Sequence, residues 1–113
     1  MQFNVYGPFD LPRTKGKTGL VDNNTASKNA FWKDVVDTTV DGLSKACGVY
    51  VYCVAAKRGT LPWYVGLTEK RTFDQEALAT RQTKSYDLAL ESKKGLKVGV
   101  KPVIFLLPLL TKK

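Results

Sequence analysis

The spacing of apolar and polar residues divides the chain into segments with different periods. From about Ser27 to Ala46 the apolar positions recur at helical spacing. Phe31, Val35, Thr38 or Thr39 and Gly42 form one stripe and Trp32, Val36, Val40 and Leu43 lie beside it, while Lys33, Asp34, Asp37, Asp41 and Lys45 point away. This predicts a helix with Ser27 or Thr25 as N-cap, covering one face of a sheet and turning an acidic side to solvent. Gly48 stops it. The pattern then changes to one of β-branched and aromatic residues, Val49-Tyr50-Val51-Tyr52-Cys53-Val54, followed by a turn-forming stretch over 57–62 and a return run Trp63-Tyr64-Val65-Gly66-Leu67. That is the pattern of a β-hairpin.

Flanking segments complete the set. Thr72-Phe73-Asp74-Gln75 has the form of a capping box and predicts a helix from Phe73, with Ala77 and Leu78 turned inward. Helical character continues over 83–90, as one bent helix or two short ones. A basic, glycine-containing connection (Lys93, Lys94, Gly95, Lys97, Lys101) leads through Pro102 into Val103–Leu107, which reads as a third strand buried on both faces and ended by Pro108. At the start, Phe3, Val5 and Tyr6 form an extended pattern that breaks at Gly7-Pro8, a short strand or arm packed over the core. The expected fold class is α/β (α+β), a small three-stranded antiparallel sheet flanked by helices. A chain of 113 residues has room for a single domain, here an arm and helix (1–47) ahead of a hairpin core (48–113).

Composition changes the picture in two respects. Hydrophobic and charged fractions of 43% and 25% are ordinary for a globular chain, but 18 Lys and Arg against 10 Asp and Glu leave a net charge of +8. Such a surplus favours polyanions, nucleic acid first, although a basic surface without a partner has the same composition. The loop carrying Arg13, Lys15 and Lys17 reads either as a phosphate contact or as a solvated connection. Gly16-Lys17-Thr18 lacks the earlier glycine and the strand of a Walker motif, which removes nucleoside triphosphate binding. With no histidine and only Cys47 and Cys53 as thiols, a structural zinc site and His-activated nucleophiles are also removed, and Cys53 reads as a small buried hydrophobe. No signal segment and no apolar run of membrane-spanning length stand in the sequence, so a cytoplasmic chain without a membrane partner is expected.

Side chains alternate along a strand, so Tyr50 and Tyr52 share one face and Tyr64 and Gly66 share a face of the return strand. A hairpin then brings the hydroxyls of Tyr50 and Tyr64 to one surface, with Gly66 leaving room for a backbone to approach. The bland alternative is a pair of strand aromatics whose hydroxyls sit at the edge of a core. Gly48-Val49-Tyr50 and Tyr64-Val65-Gly66 resemble, in order and spacing, the two signature tripeptides of the GIY-YIG nuclease superfamily. The resemblance implies phosphodiester cleavage with a divalent metal such as Mg2+, the two tyrosines positioning the attacking water and an arginine on the following helix neutralising phosphate charge. By position the tyrosines are Tyr50 and Tyr64 and the frame glycines Gly48 and Gly66. Arg71 stands just before the arginine window and Arg81 beyond it. The family's metal-holding glutamate follows the third strand, where this sequence has no counterpart up to Lys113. Glu76 is the acid placed to look toward the hairpin, as a metal ligand or as a solvated helix acid. The amino end of the helix at Phe73, pointing near Tyr64 and Gly66, would favour a phosphate.

The partner implied is nucleic acid, DNA ahead of RNA, gripped by Lys15, Lys17, Lys57, Arg58, Lys70, Arg81 and Lys93. Two alternative readings stand beside the nuclease: a binding module of the same fold that does not cut and needs no metal, and a small interaction factor whose aromatics meet a protein partner.

Overall fold

The computed structural model describes residues 2–14, 20–56, 59–92 and 100–110. Its elements are β1 (Gln2–Phe3), β2 (Tyr6–Asp10), α1 (Thr25–Thr38), a 3-10 turn (Leu43–Lys45), β3 (Gly48–Ala56), β4 (Gly59–Leu67), α2 (Phe73–Glu76), α3 (Thr80–Ser92) and β5 (Lys101–Leu110). The strands make one antiparallel sheet in the order β1-β5-β3-β4, with β2 also on the outer side of β5. The chain is therefore a small α+β fold. Its sheet is wider than the three strands expected, because the amino-terminal arm pairs along β5.

The central hairpin forms where the alternation places it, and its pairing extends further than expected. Ala56 pairs with Gly59, so Thr60, Leu61 and Pro62 belong to β4 and not to the turn. Lys57 and Arg58 lie outside the described residues. The register slips between Tyr52 and Cys53, where Tyr52 faces Tyr64 but Cys53 faces Pro62, leaving Trp63 as the extra residue of a bulge. Thr68 fastens the open end. Its hydroxyl accepts from the Gly48 N–H at 2.8 Å and its own N–H donates to the Gly48 carbonyl at 2.7 Å.

Gly48 sits at φ +154°, and a β-carbon there would run into the β5 backbone at Leu107 and Pro108. Its absence lets β3 and β5 meet closely, and Pro108 pairs with Gly48 instead of ending the strand. The ladder passes the missing donor: the Leu109 N–H donates to the Cys47 carbonyl at 2.9 Å, so β5 runs on to Leu110.

α1 is shorter than its stripe. Asn24, and not Ser27 or Thr25, caps it by accepting from the Ala26 N–H at 2.9 Å. The helix ends at Thr38. Thr39 leaves the helical conformation at φ −129° and ψ −109° with its N–H on the Val36 carbonyl, and the Thr38 and Thr39 hydroxyls donate to the carbonyls of Asp34 and Val35. Gly42 at φ +85° then redirects the chain into the 3-10 turn. Val40, beyond that end, is 46% exposed. The second helical region divides into two: α2 has the expected capping box between Thr72 and Gln75 but stops at Glu76, and α3 starts at Thr80.

One core results. It joins Tyr50, Tyr52 and Val54 of β3 and Ile104 and Leu106 of β5 with Phe31, Trp32 and Val35 of α1, Phe73 of α2 and Tyr86 of α3. All of these strand residues have the same parity, so the helices cover one face of the sheet. β5 is buried on that face; on the other, Val103 is also buried, at 2% exposure, while Phe105, Leu107 and Leu109 are half-buried, so burial on both faces holds only at the start of the strand. Among the described residues no helix is long and apolar enough to cross a membrane.

Candidate functional site

The two tyrosines of the tripeptides stand on the same side of the sheet. Tyr50 pairs across the hairpin with Gly66, and Tyr52 with Tyr64. The Tyr50 and Tyr64 rings lie 6.1 Å apart between centroids, tilted by 42°. Tyr86 of α3 adds a third ring beside them, 6.1 Å from Tyr64 and edge-on to it, and stacks on Tyr52 at 4.1 Å.

Their exposures differ sharply. Tyr50 is 0% exposed, whereas Tyr64 is half-buried. The two hydroxyls therefore do not open together onto a surface hollow, and the expectation for Tyr50 is corrected. Gly66 explains why. A β-carbon at Gly66 would overlap the Tyr50 ring at its hydroxyl end, so this glycine makes room for a phenol and not for an approaching backbone. The Tyr50 hydroxyl donates to Glu76 Oε2 at 2.9 Å, and the buried side chain of Gln82 lies beside the same phenol. Burial first, and the adjoining Glu76 carboxylate second, push Tyr50 ionisation well above the ordinary tyrosine range.

Glu76 reaches this position because α2 is held on three sides. The Phe73 N–H donates to the Ala46 carbonyl at 2.9 Å, Lys45 pairs with Asp74 at 2.6 Å, and Phe73 is fully buried. The Ala77 carbonyl that follows accepts from the Tyr86 hydroxyl at 2.7 Å, and the Tyr52 hydroxyl donates to the Tyr86 carbonyl at 3.1 Å. Half-buried Glu76 thus takes the Tyr50 hydroxyl on a fixed scaffold, while the Tyr52 and Tyr86 hydroxyls donate to backbone carbonyls.

Arg71 is exposed, and its Nη2 donates to the Gln75 carbonyl at 2.6 Å, closing onto its own short helix instead of facing the phenols. Lys70 and Arg81 are exposed. Lys15, Lys17, Lys57, Arg58 and Lys93 lie outside the described residues. Arg13 donates to the Val100 carbonyl at 2.7 Å, and burial holds its guanidinium below the usual arginine range. The amino end of α2 is also not an anion site: the Thr72 N–H donates to Gln75 Oε1 at 3.0 Å, the Thr72 hydroxyl takes the Gln75 N–H, and acids fill the turn.

Glu76 is the candidate for a divalent cation. No group of three or more His, Cys, Asp or Glu converges among the described residues. Mg2+ asks less than that, since it keeps several waters and takes one or two carboxylates plus substrate phosphates. With one oxygen held by Tyr50, Glu76 has its other oxygen to offer. Two shallow grooves of about 280 and 310 Å³ lie between β2 and α1, lined in common by Asp10, Phe31 and Asp34. They share no residue with the tyrosine cluster, and their carboxylates repel phosphate.

Sequence reasoning did not single out Gln82, Tyr52, Tyr86 or Thr68 for this site. Tyr52 shares parity with Tyr50, which was a usable signal; Gln82 gives none, because a buried glutamine on a helix reads like any polar helix residue. No family model matches the chain, and comparison with curated proteins and with solved structures gives no match.

Proposed function

We propose that the chain is a GIY-YIG-like nucleic-acid-processing domain that cleaves phosphodiesters with a divalent metal. The observation that supports this best is the approach of Tyr50 to Glu76 at 2.9 Å with Tyr64 beside them, which brings two phenols and an acid together at the paired tripeptides. In this reading Tyr64, the phenol that solvent reaches, orients the attacking water or a phosphate oxygen. Tyr50 acts from below, donating to Glu76 and fixing the carboxylate. Glu76 would hold the metal, which when bound supplies a Lewis acid for the phosphoryl oxygens. The net charge of +8 draws the polyanion to the domain.

A second reading has its own support. Arg71 turned onto Gln75 and Tyr50 fully enclosed favour a module of the same design that binds nucleic acid without cutting it. Supercoiled plasmid incubated with and without Mg2+ separates the two. Metal-dependent nicking that falls in Tyr64→Phe supports the nuclease, and salt-sensitive binding without nicking supports the module. Absence of binding even at low salt defeats both.

A further inference from the structure

The face of the sheet opposite the helices is apolar from strand to strand. Cross-strand rows there read Leu67, Val49, Leu107, then Val65, Val51, Phe105, then Pro62, Cys53, Val103. Across β4, β3 and β5 no charged or hydrogen-bonding polar side chain interrupts them; the third row ends on Asp10 of β2, which pairs with Lys101 at 3.6 Å. Cys53 and Val103 are buried outside the helix-side core, each at 2% exposure. The rows nearer Leu67 are open: Val65 and Leu67 are 64% and 54% exposed, and Val49, Val51, Phe105 and Leu107 are half-buried. An antiparallel sheet with one solvated face normally alternates apolar and polar residues, and β3, β4 and β5 do not.

We infer that this face packs against the same face of a second copy of the chain, forming a homodimer with two sheets stacked between outer layers of helices. Three features select a second copy. Across β4, β3 and β5 the rows carry no charge, and the one at their edge on β2 is the carboxylate of Asp10, so neither nucleic acid nor an acidic protein finds a complement in them. Two chains of +8 each can meet there without bringing like charges together. The first polar row, Thr60, Ala55 and Lys101, closes the patch at its end as a rim closes an interface core. The area also fits. The open side chains present on the order of 400 Å² of apolar surface, within the ~300–600 Å² of the largest patch on a monomer, a size that often marks a binding surface. With a rim, this approaches the ~800 Å² per partner of a standard interface. Twisted sheets of one hand stack face to face about 10 Å apart, and a two-fold axis makes such a face its own complement.

Sedimentation equilibrium of the full chain, cleared of nucleic acid, over a concentration series up to about 100 μM tests this. The expected result is a mass of two 12.5 kDa chains that persists in high salt. Val65→Asp and, independently, Leu67→Asp should give the mass of one chain with an unchanged circular dichroism spectrum. Val40→Asp, an exposed apolar position beyond α1, should stay dimeric. A wild-type monomer at every concentration overturns the inference, whatever the variants do. So does an association that disappears in high salt, or a folded Val65→Asp chain that remains a dimer.

Discussion

The Tyr50 ring occupies the space where a β-carbon of Gly66 would stand, so the first tyrosine and the last glycine of the paired tripeptides fit as one steric unit. Gly66→Ala should therefore act as an overpacking substitution at the centre of the hairpin. About 3 kcal/mol of stability should be lost in denaturant unfolding, and Tyr50→Leu in the same chain should recover part of it. Equal losses in Gly66→Ala with and without Tyr50→Leu would mean that the ring is not the obstacle.

Thr68→Val keeps shape and removes the acceptor for the Gly48 N–H. That group lies in a buried setting, so the change should cost about 1–3 kcal/mol. Hydrogen exchange should show the Gly48 amide losing protection ahead of the rest of β3. A fall in stability without that local change would argue against the Thr68 clasp.

Tyr50, Tyr52 and Tyr86 all have their ionisation pushed up, chiefly by burial. As pH rises through the ordinary tyrosine value of about 10, the unfolded chain gives up these protons and the folded chain keeps them. Their contribution to stability is complete below that pH and falls above it. Phenolate absorbance from these three residues should appear only together with loss of the folded circular dichroism signal. Their ionisation in a folded chain would contradict the packing.

Asp87 accepts from the Val21 N–H at 2.9 Å, yet burial pushes its carboxyl above the usual aspartate range. In the window between the ordinary value and the raised one, the folded state holds more protons, so this group's contribution falls as pH rises. Asp87→Asn retains an acceptor for Val21 and carries no charge. It should be at least as stable as wild type at pH 7 and should flatten this part of the acid profile. Destabilisation of equal size at acid and neutral pH would contradict the assignment of burial as the cause.

Much of the frame was legible because it rests on local chemistry. The alternation of Val49 to Val54, the start of β3 at Gly48 and the Thr72–Gln75 box each specify a boundary through neighbours in sequence, whereas Gly48 is not what stops α1. The end of α1 was not legible. The apolar stripe continues through Val40 and Leu43, and only the non-helical backbone of Thr39 and the left-handed Gly42 show that the helix has stopped. Pro108 misled for a related reason: its missing donor matters only if a partner needs it, and the chain instead pairs through Leu109. At the site, parity placed Tyr50 and Tyr64 on one side but left their depth open, because a tyrosine is as well suited to a core as to a rim. The depth of Tyr50 follows from Gly66 across the hairpin and from α2 and α3 above it, contacts that depend on tertiary packing.

In the proposed nuclease, Glu76, held by Tyr50, would be the acid at which metal-dependent cleavage occurs. Nicking of supercoiled plasmid by Glu76→Gln, with duplex binding measured on the same samples, tests it most directly. The account predicts Mg2+-dependent nicking by wild type, a loss of about a hundredfold or more in the variant on the scale of one lost electrostatic group, and binding within about twofold of wild type. Nicking by Glu76→Gln at the wild-type rate would contradict it.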